Sequence, residues 1–68
     1  MLPAMRNNYL TRRKRLGMTR EALAALADVS ISTIVRAENH KPLHPFMFRA
    51  IEAALAIKEV EQKQEAAS

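Results

Sequence analysis

The sequence predicts an all-α domain of four helices, and three observations support this prediction. The chain has 68 residues with a single Gly and few β-branched residues, a composition that disfavours strands. Its apolar residues recur at the spacing of a helix face buried in a core. Ser or Thr stands directly before two of the helix-forming runs, where the hydroxyl can accept an orphan backbone N–H group. We therefore expect one small, compact domain.

The first predicted helix covers residues 3–16, and Gly17 stands where a C-terminal glycine belongs. Four consecutive basic residues, 12–15, wrap around this helix, so at least one of them lies near its apolar face. Arg13 is the best candidate. A buried guanidinium requires an acidic partner, and Glu38 is the nearest plausible acid if the ends of the first and third helices meet.

Two short helices follow, and their spacing predicts a helix-turn-helix. Thr19 is an N-cap for Arg20–Ala27, a run made almost wholly of strong helix formers. The run breaks at Asp28, a residue that tolerates the left-handed conformation of a tight turn. Ser30 is a second N-cap and opens a helix over Ile31–Glu38. Two short helices joined by a turn of this length are typical of a helix-turn-helix.

The outward face of the third helix indicates a polyanionic ligand. With Ile34 facing the core, Ser32 and Arg36 point away from it, and Ile31 and Thr33 lie between. This face is small, hydroxylic and basic, with no acid. Such a face suits the DNA major groove, where small residues allow close approach and Arg can bind guanine. The alternative is a solvated face that merely lacks acids.

The remainder of the chain predicts a loop, a fourth helix and a tail. Residues 39–45 form a loop because they contain two prolines, and residues 46–56 form the helix. The polar residues 57–68 contain no helix breaker, so this tail either extends the helix or frays. We predict a helix-turn-helix domain over residues 1–56. The core stripe of the fourth helix is predicted to contain Phe48, Ile51 and Leu55.

A continued fourth helix would expose a narrow stripe that could join two copies of the chain. Its members would be Ala53, Ile57, Val60 and Gln64. The alternative is a frayed tail, with dimerisation elsewhere or only on DNA.

The charge distribution favours a polyanion approached from one side. Residues 1–41 contain eight Lys/Arg against three Asp/Glu, whereas residues 42–68 contain three against four. The longest strongly apolar run, residues 22–27, is too short to cross a bilayer. The N-terminus lacks a signal-peptide pattern, so the expected location is the cytoplasm, associated with the nucleoid, without membrane contact.

Enzymatic and metal-binding functions are not expected. The chain has no Cys, which excludes disulfides and thiolate metal sites. His40 and His44 have the spacing of a helical metal pair, but they lie in a Pro-interrupted loop without a third ligand. Asp28 and Ser30 are better explained as turn and cap residues than as parts of a hydrolytic triad. We predict no cofactor, no metal and no small-molecule ligand.

Several consecutive segments resemble one family. Residues 17–24, Gly-Met-Thr-Arg-Glu-Ala-Leu-Ala, resemble the signature Gly-Leu-Thr-Gln-Glu-Glu-Leu-Ala of the lambda repressor/Cro-like (XRE-type) helix-turn-helix DNA-binding family. Residues 29–34 resemble its Val-Ser-Arg-Ser-Thr-Ile, and residues 38–39 resemble the start of its Glu-Asn-Gly. The resemblance covers residues 5–55 and implies a compact four-helix fold with the helix-turn-helix at helices two and three.

The resemblance also implies residue roles. Arg13 occupies the place of an Arg that pairs with the acid here at Glu38. Contacts to DNA bases are implied for Ile31, Ser32 and Arg36. Contacts to the DNA backbone are implied for Arg20, Thr33, Asn39 and Lys41. Asp28 and His40 replace glycines of the family, which leaves the path of the loop after His40 open. Ile31 is apolar where a hydrogen-bonding residue is common, so we expect contact with a thymine methyl group there.

The implied function is a sequence-specific double-stranded DNA-binding transcriptional regulator. We expect a small repressor that occupies a palindromic operator as a homodimer. The alternative is an antitoxin-like or bridging protein that uses a helix-turn-helix scaffold to bind another protein, since a fold does not fix a function.

Overall fold

The structure, a computed structural model, describes residues 8–67, with side chains as far as residue 64. Within that part of the chain there are four helices and no strand, as the sequence predicts. They are α1 (Tyr9–Arg15), α2 (Arg20–Ala27), α3 (Ile31–Glu38) and α4 (Pro45–Ala67). The bounds of α2 and α3 match those predicted.

Helix α1 is shorter than the predicted helix over residues 3–16. Asn8 has φ −86° and ψ 58°, which is not helical, so the helix begins at Tyr9. Tyr9 is buried and stacks on Phe48 of α4, with the ring centroids 6.2 Å apart. The prediction for residues 3–7 lies outside the described residues. Among the described residues, the first buried side chain thus makes an aromatic contact to α4, which helical spacing alone does not predict.

The predicted caps of the helix-turn-helix are confirmed. The Thr19 hydroxyl accepts a hydrogen bond of 3.0 Å from the backbone N–H of Ala22 at the start of α2. The Ser30 hydroxyl accepts one of 3.1 Å from the N–H of Thr33 at the start of α3. Each cap satisfies one N–H group that the first turn of a helix leaves without an intrahelical partner.

The first three helices end in the same way, each at a residue in the left-handed conformation. Gly17, Asp28 and His40 have φ values of 69°, 60° and 59°. After α3, the N–H of His40 bonds the Ala37 carbonyl at 3.2 Å, and the next N–H bonds the Arg36 carbonyl at 2.9 Å. This pair of bonds is a Schellman motif. His40 therefore adopts the left-handed backbone conformation that a glycine at this position would readily supply.

The core lies where α4 crosses α2 and α3. Ile51 and Leu55 of α4 are fully buried, as predicted, and Phe48 is half-buried against the same cluster. Leu23 of α2 and Ile34 of α3 are the largest buried side chains on the opposing helices. Burial of large aliphatic side chains supplies most of the stability of a domain this small.

Helix α4 continues to Ala67, so the tail extends the helix within the described residues. Contacts to α1 hold this extension. Arg12 donates hydrogen bonds to Glu59 at 2.8 Å and to Glu52 at 2.7 Å, which are two turns apart on α4. Gln62 donates one of 3.2 Å to the carbonyl of Leu16. The hydrogen bonds to Glu59 and Glu52 raise the pKa of Arg12 above its ordinary value, because they outweigh the opposing effect of its partial burial.

We predict that Gly17→Ala destabilises the domain and that His40→Gly does not. A Cβ at position 17 would meet no atom within 4 Å, so the cost arises from the positive φ alone. We expect a loss of about 1 kcal/mol for Gly17→Ala, and a change between zero and a gain of about 1 kcal/mol for His40→Gly, which removes the same strain. Urea unfolding measures both. Equal losses in the two variants would contradict a shared backbone cause.

Candidate nucleic-acid interface

Helix α3 has one buried and one exposed face. Ile34 and Ala37 are each 1% exposed and pack in the core. Ser32 and Arg36 lie on the exposed face, and Ile31 is 44% exposed beside them. The three positions predicted to contact bases are therefore open to solvent together. No acidic residue interrupts this face.

The loop after α3 holds the side chain of Arg36. Its Nη2 donates a hydrogen bond of 2.7 Å to the carbonyl oxygen of Pro42. Because a guanidinium has several N–H donors, this bond uses one of them and leaves the others for a further acceptor. The loop thus limits the directions in which Arg36 can reach.

A buried carboxylate joins α3 to the two preceding helices. Glu38, the last residue of α3, has a side chain that is 2% exposed. Arg13 of α1 donates from Nε to this carboxylate at 2.5 Å, and its Nη1 donates to the Met18 carbonyl at 2.9 Å. The pairing expected from the resemblance is therefore present in the structure, and the Arg13 side chain is 9% exposed.

A second arginine binds the same carboxylate. Arg20, the first residue of α2, donates from Nε to Glu38 at 3.0 Å. The side chain of Arg20 is 46% exposed, so its inner edge bonds Glu38 while the rest of the group faces solvent. This contact brings the start of α2 next to the end of α3. The exposed residues Asn39 and Lys41 follow directly after that end.

The two arginines keep Glu38 ionised. Burial by itself would raise the pKa of this carboxyl group, but the hydrogen bonds from Arg13 and Arg20 outweigh burial and hold the pKa below its ordinary value. A charged group in this position is stable only because both oxygens have partners.

Thr33 differs from the other residues for which the resemblance implies contacts to the DNA backbone. It is 8% exposed, whereas Arg20, Asn39 and Lys41 are exposed. Its hydroxyl lies 2.9 Å from that of Ser30 and 4.0 Å from the sulfur of Met47. Since the hydroxyl already has neighbours within the protein and little access to solvent, we exclude Thr33 from the candidate interface.

Two interactions near this site were not predicted from the sequence. The resemblance implies only a DNA contact for Arg20 and does not predict its bond to Glu38, although an acid and two arginines near helix ends are a weak signal for it. The binding of Arg12 to Glu52 and Glu59 was not foreseen either, because these residues are 40 and 47 positions away. No local pattern reports on contacts across such distances.

The fold and the acid-free face of α3 define a helix-turn-helix DNA-binding domain. Comparison with protein families agrees: a helix-turn-helix family model matches residues 11–62, which include α2 and α3. The chain therefore belongs to the lambda repressor/Cro-like, XRE-type family of DNA-binding helix-turn-helix regulators. This family is not typically enzymatic. Neither a curated protein nor a solved structure matches the chain.

The described residues contain neither a membrane-spanning helix nor a metal-binding cluster. No helix within residues 8–67 is long and apolar enough to span a membrane. In the same part of the chain, no group of three or more His, Asp or Glu side chains is arranged to hold a metal ion.

We predict that Glu38→Ala destabilises the fold by about 3 kcal/mol, because the change leaves the buried guanidinium of Arg13 without its carboxylate. The matched control is Glu52→Ala. Glu52 also binds an arginine, but its side chain is 50% exposed and its partner Arg12 keeps Glu59. We expect the control to cost less than about 1 kcal/mol. Chemical denaturation measures the free energy of unfolding of both variants. A Glu38→Ala variant that is as stable as the parent protein would contradict this prediction.

Proposed function

We propose that this protein is a sequence-specific transcriptional repressor that occupies a palindromic operator in double-stranded DNA as a homodimer. The observation that supports this most is the exposed face of α3, which is basic and hydroxylic without an acid. Exposed basic or polar residues surround it at the start of α2 and after the end of α3. Repression requires only that the bound protein competes with other proteins for promoter DNA in the nucleoid.

In the proposed complex, α3 enters the major groove and three side chains contact bases. Arg36 donates to the O6 and N7 acceptors of a guanine with the N–H groups that do not bind Pro42. Ser32 is small enough to let the helix approach closely. Ile31 packs against a thymine methyl group, since it has no hydrogen-bonding atoms in its side chain.

Phosphate contacts position the protein on the duplex. Arg20, Asn39 and Lys41, which lie close to the end of α3, bind the DNA backbone beside the groove, in keeping with their exposure. Glu38 orients Arg20 for this task by bonding its Nε, so that the outer edge of the guanidinium meets a phosphate oxygen. A group already held in place loses less side-chain entropy when it binds.

Two copies are proposed because one such domain makes too few base contacts for high specificity. A symmetric dimer would place its two α3 helices about 34 Å apart, one turn of the duplex. The two half-sites of the operator would then be related by the same symmetry.

The alternative, an antitoxin-like or bridging protein that binds another protein, is favoured by one observation. Ile57 and Val60 on the outer side of α4 are 51% and 54% exposed. A salt titration with labelled duplex of random sequence separates the two functions. DNA binding predicts an affinity that falls steeply as salt rises, whereas no binding even at low salt favours the alternative.

We predict that Arg36→Ala and Arg20→Ala impair DNA binding in different ways. Arg36→Ala should cost about 1–3 kcal/mol on the preferred site and relax the preference at one base pair in each half-site. Arg20→Ala should weaken all duplexes to a similar extent and lower the salt slope by about one unit for each phosphate that the variant no longer neutralises. Arg36→Lys should not restore the preference fully, because Lys lacks the planar fork.

The measurement begins with selection of bound sites from a random duplex pool. Binding of each variant to the preferred site and to all its single-base substitutions is then compared at two salt concentrations. Thermal melting of Arg20→Ala controls for the removal of its bond to Glu38. Altered base preference in Arg20→Ala, together with unchanged preference in Arg36→Ala, would reverse the assignment.

A further inference from the structure

An open apolar cleft of about 400 Å³ lies between the α2–α3 turn and the first turns of α4. Its size is within the range of small-molecule sites, which are mostly apolar with a few polar groups. None of Ile31, Ser32 and Arg36 lines the cleft, so it is separate from the side chains proposed to contact bases. Its apolar lining consists of Ala27, Val29, Phe46, Met47 and Ala50.

Two large apolar side chains of the cleft are left partly uncovered by the fold. Phe46 is 69% exposed and Met47 is 36% exposed. The ring of His44 packs edge-on against that of Phe46, with the centroids 6.4 Å apart, and most of the Phe46 ring remains in contact with solvent. A Met side chain adapts its shape to what it contacts. A ligand in the cleft would therefore remove apolar surface from water, which favours binding.

The polar groups of the cleft differ in whether they already have partners. The Ser30 hydroxyl accepts a hydrogen bond of 3.1 Å from the N–H of Thr33, and the two hydroxyls lie 2.9 Å apart. The Asp28 carboxylate is exposed and makes no hydrogen bond or ion pair with any other described residue. Among the described residues that line the cleft, only Asp28 is charged. Its carboxylate is thus the group available to a ligand.

Two opposing electrostatic effects bear on the charge of this ligand. The N-terminal ends of α3 and α4 border the cleft, and such ends favour anions. However, the N–H of Thr33 is bonded to Ser30, and the N–H of Phe46 donates to Nδ1 of His44 at 3.0 Å. The full negative charge of Asp28 outweighs what remains of these partial charges. The open face of Phe46 also attracts a cation.

We propose that this cleft binds a small organic cation, with an apolar body and an ammonium group. The body packs against Phe46 and Met47, and the ammonium group binds the carboxylate of Asp28. The proposal does not depend on DNA binding, because the side chains proposed to contact bases are not part of the cleft.

The test is an NMR titration of the full-length protein with two probes. The first is 2-phenylethylamine, which is protonated at neutral pH, and the second is 2-phenylethanol, which has a similar shape without the charge. We expect saturable chemical-shift changes that cluster at residues 27–30, 46, 47 and 50. The amine should bind about fivefold more tightly than the alcohol, which is the upper range for an ion pair at a protein surface.

Asp28→Asn tests the charge, and Asn also tolerates the left-handed conformation of this position. The affinity of the variant for the amine should fall to its affinity for the alcohol, and its affinity for the alcohol should not change. The matched control is Glu21→Gln, which removes an exposed carboxylate of α2 that does not line the cleft. Both affinities should be unchanged in this control.

Ala50→Leu tests the position of the apolar body, because the larger side chain fills part of the cleft. It should abolish the binding of both probes. Ala53→Leu, at an exposed position of α4 outside the cleft, should leave both affinities unchanged. Thermal melting establishes that both variants are folded.

Three results would overturn the proposal. The first is the absence of saturable changes at the cleft with either probe. The second is equal affinity of the parent for the amine and the alcohol, since the cleft then does not recognise charge. The third is an affinity for the amine that is the same in Asp28→Asn as in the parent, or that falls as much in Glu21→Gln.

Discussion

The shared carboxylate of Glu38 fixes the arrangement of the first three helices. It lies at the end of α3 and accepts hydrogen bonds from Arg13 of α1 and Arg20 of α2. A buried ionised group costs free energy unless its partners are close and well oriented, so these helices can pack only with their ends in this relation. No buried side-chain nitrogen or oxygen among the described residues lacks a partner. The shared carboxylate therefore positions the exposed face of α3 relative to α1 and α2.

The proposed phosphate contact of Arg20 would link the stability of the domain to DNA binding through one residue. Arg20 stabilises the carboxylate with its inner edge and presents its outer edge to solvent. A functional side chain held by a neighbour is positioned more accurately than one on a free rotor. In this chain the family's usual Gln is replaced by Arg, which can serve both purposes because its donors lie on two edges of one plane.

Local features of the fold were predictable from the sequence because local chemistry determines them. Thr19 and Ser30 cap helices because their hydroxyl groups accept hydrogen bonds from backbone N–H groups. Asp28 adopts the left-handed conformation because this residue type tolerates it. The place of Arg13 near the core followed from helical periodicity. The bond of Arg20 to Glu38 did not, because periodicity gives the face of a helix but not the angle at which two helices cross. The start of α1 at Tyr9 was not predicted either, because helical spacing does not show that the backbone at Asn8 is non-helical.

In the long α4, the spacing of apolar residues does not by itself show which face of the helix is buried. Two apolar stripes on one helix each satisfy the pattern of a core face, and only contacts with α2 and α3 decide which is buried. Arg12, the residue directly before Arg13, then helps to orient α4 by binding Glu52 and Glu59. Two adjacent residues of α1 thus bind different helices: Arg12 binds α4, and Arg13 binds α3. Because Arg12 and Arg13 are adjacent, these ion pairs couple the position of α4 to that of the exposed face of α3 through one short segment of α1.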